Sequence, residues 1–121
     1  MITGQVSNRR ALVPVTIRLS GQPDLIIEFV VDTGFAGFLT MPLAAVLAMG
    51  LSYQHHTPAG LADDSQVQIP VYEATIVWES VERAVRVLAM GKRPLLGTAL
   101  MEDRELRILF REGSPVTIGT P

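Results

Sequence analysis

Apolar and polar residues alternate with a period of two over most of this chain, so strands are the first expectation. Between Val13 and Leu19 the residues Val13, Val15, Ile17 and Leu19 alternate with Pro14, Thr16 and Arg18. That pattern predicts a half-buried strand, and Pro14 marks it as an edge. Ser20-Gly21-Gln22-Pro23-Asp24 carries turn chemistry, and Leu25 to Val31 follows as a nearly continuous apolar run. The run predicts a buried strand that completes a hairpin. Phe38 to Thr40 reads as a short strand leading into a helix. Thr40 is its cap, Pro42 lies in its first turn, Ala44, Ala45 and Ala48 permit close approach, and Gly50 stops it.

Leu51 to Pro58 predicts a strand running outwards to a polar tip at Ala59 to Ser65. Val67, Ile69 and Val71 then alternate, but the apolar phase shifts by one to Tyr72, Ala74, Ile76 and Trp78. A slip of that kind predicts a bulge or a change of buried face. The two strands make a hairpin arm whose outer part leaves the body of the protein and whose inner part joins it. Glu79 to Arg83 is a turn, and Val85, Val87 and Ala89 resume a strand. Thr98 can cap a short helix through Asp103; Leu106, Ile108 and Phe110 alternate again, and Val116 to Ile118 is a last strand. Met1 to Arg10 shows no periodicity and leaves a terminal strand open. The expected fold is all-β, a small closed barrel with one or two short helices, in a single domain over residues 1–121.

Composition narrows the function. A chain of 121 residues with 48% hydrophobic residues holds one modest core and is not a disordered sequence. A net charge of -2 without a run of Lys or Arg offers no electrostatic footprint for nucleic acid or an anionic membrane. The absence of cysteine excludes disulfides, thiol nucleophiles and zinc–thiolate sites. No Asp, Glu, Lys or Arg occurs from Thr33 to Ala62, yet Gly34, Gly37, Pro42 and Gly50 divide this stretch. Its one clean helical piece, Leu43 to Met49, is too short for a hydrocarbon core of about 30 Å, so burial in a core or subunit interface is expected. Met1-Ile2-Thr3-Gly4-Gln5 lacks a signal-peptide pattern, and the cytoplasm is the expected compartment.

Asp32 is the residue that demands a chemical explanation, since it puts a carboxylate at the end of an apolar strand. An ionised group there must be hydrogen-bonded, paired or partly neutralised. The Thr33 hydroxyl and the Gly34 N–H can both point at it. Asp32-Thr33-Gly34 after an apolar strand resembles the active-site signature of the aspartic proteases. Its single occurrence in a short chain resembles the retropepsin-like (clan AA) branch. Leu95-Leu96-Gly97 looks like that family's second element, two apolar residues and a glycine leading into a short helix. The fuller string from Val31 to Pro42 is similar to a prokaryotic group of small single-domain members with Phe after Asp-Thr-Gly. The resemblance covers roughly Ala11 to Ile118, and these two stretches are its specific part.

One carboxylate cannot hydrolyse an amide alone, because one group must take a proton from water while another protonates or polarises the carbonyl. A two-fold homodimer that brings Asp32 to its symmetry mate is the simplest remedy. Two such carboxylates share a proton and titrate as a coupled pair. The resemblance implies an aspartic endopeptidase with a retroviral-type barrel and no cofactor or metal, acting on an extended peptide without a covalent intermediate. Within it Thr33 would brace the two active loops across the dimer, and the Gly34 N–H would hydrogen-bond the carboxylates. The arm, about residues 57–71, would be the flap. The substrate-binding set would be Phe35, Ala36, Gly60, Leu61, Ala62, Asp63 and Ile69, with Phe35, Leu61 and Ile69 as pocket walls. Phe35 departs from the retroviral pattern, where a small residue is usual, and Asp63 and Asp64 make the flap more acidic. The alternative is a catalytically silent barrel of the same fold that binds a peptide or serves as a dimerisation module.

The remaining candidates have plainer readings. His55 and His56 face opposite ways on a strand, and no other histidine is present to complete a metal site, so they read as surface residues. Asp63-Asp64-Ser65 lacks the spaced oxygen ligands of a calcium loop and reads as a solvated turn. No spacing pairs Ser65 with a base. Tyr72 and Trp78 read as core residues.

Overall fold

The computed structural model describes residues 1–60 and 62–121. Among the described residues ten strands form one sheet: β1 (Ile2–Ser7), β2 (Arg10–Arg18), β3 (Leu25–Val31), β4 (Leu39–Met41), β5 (Ser52–Gly60), β6 (Gln66–Trp78), β7 (Val81–Ala89), β8 (Leu95–Leu96), β9 (Glu105–Ile108) and β10 (Pro115–Gly119). One α-helix, α1 (Leu43–Met49), and a 3-10 turn at Thr98–Met101 complete the description. The strand order is β5-β6-β7-β4-β8-β3-β2-β1-β10-β9, with a further pairing of β6 to β2. That pairing rings six strands, β2, β3, β8, β4, β7 and β6, while β5 extends from one side and β1, β10 and β9 from the other. The sheet is therefore mostly β and ringed only in part, where the sequence predicts a closed barrel. Among the described residues no helix is long and apolar enough to cross a membrane.

Alternation explains the core. In β2 the buried residues are Ala11, Val13, Val15 and Ile17, while Pro14 and Arg18 are exposed. Full burial of Val13, Val15 and Ile17 contributes about 1.5–3 kcal/mol each, so this one strand is a major share of the core. Phe29, Leu39, Met41, Val46, Ile76, Leu96 and Ile118 join the same cluster. β2 is not the edge that Pro14 suggests. β1 pairs with it over Arg10 to Leu12 and β6 over Thr16 to Arg18. Pro14 falls in the gap between the two, so its missing N–H leaves no ladder acceptor unfilled on that side.

Several other expectations are corrected. β3 is not buried on both faces: Phe29 is fully buried and Ile27 and Val31 pack against the core, but Ile26 is 67% exposed. Antiparallel pairing with β2 leaves one face of its outer half in water. Thr40 does not cap α1 but lies buried in β4, and Pro42 takes the N-cap position; Gly50 does end the helix, in the left-handed conformation at φ 65°. Thr98 begins the 3-10 turn rather than capping a helix, with Gly97 in the N-cap position. The register irregularity predicted for the arm sits in β5, between Tyr53 and His55, while β6 changes its buried face at Val71-Tyr72. Ile69 is buried on the cleft side, whereas Tyr72, Ala74, Ile76 and Trp78 enter the core.

Candidate active site

β3 delivers Asp32, and β8 receives it. The two strands run parallel with Val31 opposite Leu96, and the Asp32 N–H donates to the Leu96 carbonyl at 2.9 Å. The chain then turns sharply. The Gly34 N–H donates to Asp32 Oδ1 at 2.9 Å, and the Phe35 N–H donates to the Asp32 carbonyl at 3.2 Å. Of the two expected donors, the glycine N–H holds the carboxylate; the exposed Thr33 lines a groove instead. Asp32 itself is half-buried, reachable by solvent yet fixed at one oxygen.

The loop that follows is strapped to the segment after β8. Gly97 N–H donates to the Phe38 carbonyl at 2.8 Å, Thr98 N–H to the Phe35 carbonyl at 2.8 Å, and Ala99 N–H to the Gly37 carbonyl at 3.1 Å. The Thr98 hydroxyl reaches the same Phe35 carbonyl at 3.4 Å. The Phe35 ring lies over Gly37 and Gly97, where a Cβ on either residue would meet it. The bulky Phe35 side chain is therefore accommodated by two residues that lack side chains. Asp32 is placed by a network of backbone bonds, which holds position more firmly than long side chains.

Two concavities flank this loop. An apolar hollow of about 420 Å³ is lined by Phe35, Phe38, Leu39, Ile69, Leu88 and Met90, with Thr57, Pro58 and Ala59 from the arm above and Arg86 at its border. The Arg83 guanidinium sits 5.4 Å from the centroid of the Phe38 ring. On the other side an open groove of about 540 Å³ is lined by Thr33, Ala36, Thr98, Met101, Glu102 and Leu106 among others. Phe35 and Ile69 thus share the hollow, as walls, while Ala36 belongs to the opposite groove. Gly60, Ala62 and Asp63 are exposed at the arm tip, and Leu61 lies outside the described residues. The Ser65 hydroxyl and N–H both donate to the Asp63 carboxylate and hold it below its ordinary pKa. The tip therefore stays charged in mildly acidic solution.

Sequence reasoning missed Phe38, Arg86, Leu88 and Met90 as lining residues. The run Val85 to Ala89 was legible as a strand, but which strand it would stand beside was not. Gly37 and Gly97 were the available signal for close approach around Phe35. Among the described residues no group of three or more His, Cys, Asp or Glu could hold a metal ion. His55 and His56 are exposed on β5, where the Tyr53 hydroxyl hydrogen-bonds His56 Nδ1. Comparison with protein-family models, with curated proteins and with solved structures finds no match to this chain.

Proposed function

We propose that this chain is the protomer of a retropepsin-like aspartic endopeptidase that acts as a two-fold homodimer. The observation that carries the reading is Asp32: a half-buried carboxylate held by the Gly34 N–H, on a backbone-braced turn, beside an apolar hollow under a hairpin arm. In the dimer one Asp32 takes a proton from the attacking water while its mate, protonated, donates to the peptide carbonyl. The two carboxylates share one proton because both cannot ionise at close range. The arm lies over an extended substrate and excludes water. Phe35, Phe38, Ile69 and Leu88 accept a large apolar side chain, and Arg86 at the border favours an acidic residue beside it.

The same arm and hollow support a second reading, a peptide-binding module without hydrolysis, and what favours it is the bulky Phe35 ring, packed over Gly37 and Gly97, directly after Asp32-Thr33-Gly34. Mass-spectrometric detection of cuts in a diverse peptide mixture, over about pH 3 to 7 to bracket a carboxylate pair, separates the two. Cuts made by the parent chain and absent from Asp32→Asn are expected. Peptides retained but uncut by both would sink the enzyme reading.

A further inference from the structure

We infer that the second copy docks on the free edge of β9, in the one register that places Leu106 against its own symmetry mate. This rests on the endopeptidase reading for the requirement of a second Asp32. β9 is the last strand of the sheet, paired through residues Glu105 to Ile108 with β10. Every second residue of such a strand turns its N–H and C=O away from its partner, which makes the edge a template for another strand.

Symmetry and charge select the register. A two-fold axis perpendicular to the sheet keeps each side chain on its own face, so residues on opposite faces cannot pair, and the axis must pass beside a residue. Centred on Glu105 or Arg107, it sets like charges against each other. Centred on Ile108, it needs Leu109 to Arg111 as strand, and the Arg111 N–H is already turned back to the Leu109 carbonyl. Centred on Leu106, it places Glu105 opposite Arg107 of the other copy, twice. Glu105 and Arg107 already lie 3.2 Å apart within one strand, so the dimer closes a four-charge network.

The same register serves the active site. Leu106 lines the groove that Thr33 also lines, so an axis beside Leu106 runs past the Asp32 loop. The two Thr33 residues and the two Asp32 turns then flank that axis above a continuous sheet. β1 is paired with β10 of its own chain, which leaves β9 as the strand this end of the sheet presents.

The chain has no cysteine, which makes a crosslinking test direct. Opposite residues in an antiparallel pair have Cα atoms about 4.5–5.5 Å apart, within disulfide range. Leu106→Cys should therefore form a disulfide-linked dimer under mild oxidation. Glu105→Cys should not, being offset from its own mate by two residues, beyond the roughly 7 Å limit. In solution, Arg107→Glu should weaken dimerisation on the order of tenfold or more, and Glu105→Arg with Arg107→Glu should restore it. A parent dimer that ignores Arg107→Glu, or that fails to crosslink through Leu106→Cys, overturns the interface even where Asp32-dependent cleavage is seen. Crosslinking and charge rescue in a protein that leaves peptides uncut uphold the interface and sink the endopeptidase reading instead. A parent that stays monomeric at all concentrations overturns both.

Discussion

Replacing Gly97 by alanine tests whether the turn carrying Asp32 is held by close backbone contact. Gly97 has φ -94° and ψ 174°, extended backbone that alanine also adopts, so any penalty comes from contact alone. A Cβ there would overlap the Gly37 carbonyl oxygen and stand 2.7 Å from that of Phe35 and 2.6 Å from the Phe35 ring. The ring can swing away; the two carbonyls cannot move without disturbing the bonds they accept, from Thr98 N–H to Phe35 and from Ala99 N–H to Gly37. Overpacking costs about 1–3 kcal/mol, and two weakened hydrogen bonds add about 1 kcal/mol each, giving roughly 3–5 kcal/mol. For a domain of this size that lowers Tm by roughly 12–20 °C, at about 4 °C per kcal/mol. Gly37→Ala is the control, because its Cβ meets ring atoms of Phe35 at 2.5 and 2.7 Å. Thermal unfolding followed by circular dichroism should show the Gly37→Ala loss relieved in a Phe35→Ala background and the Gly97→Ala loss persisting there. A Gly97→Ala chain melting within about 3 °C of the parent, or fully rescued by Phe35→Ala, would refute the backbone-contact argument.

Two further outcomes follow from local geometry. Gly50→Ala should cost about 1 kcal/mol in chemical denaturation, and Gly50→Asn less, because the residue is left-handed and its surroundings are open, leaving backbone strain as the only penalty. Equal stability of the alanine variant and the parent would contradict the helix stop assigned to Gly50. At the arm tip, Ser65 donors lower the Asp63 pKa from 3.8, so any stability from this group is present above that pH and is lost as pH falls through the lowered value. Ser65→Ala should raise the Asp63 titration midpoint, read by nuclear magnetic resonance; an unchanged midpoint would refute the assignment.

Local periodicity made most elements readable. The alternation in β2 and β6, the αL stop at Gly50 and the turn after β3 depend on neighbours within a few residues, and the structure places them there. Gly34 could be named as a donor for Asp32 because a turn brings i and i+2 together whatever the rest of the chain does. Pairing partners were not readable in the same way. Pro14 signals an edge only if one strand lies alongside, and here two strands share that side and leave it a gap. Ile26 is as apolar as Ile17, yet one lies in water and the other in the core, because strand pairing rather than hydropathy decides which face is covered.

The sequence by itself determined that strands dominate, that one carboxylate stands at a strand end before a tight turn, and that disulfide and thiol chemistry are absent. Only the tertiary structure decided that β8 straps the Asp32 turn in place, that Phe35 rests on two glycines, and that Phe35 and Ile69 meet Leu88 and Met90 in one hollow. The physical reason is range. Alternation, capping and turn formation are set by side chains a few positions apart, whereas the hollow and the brace join residues tens of positions apart, chosen by which strands pair.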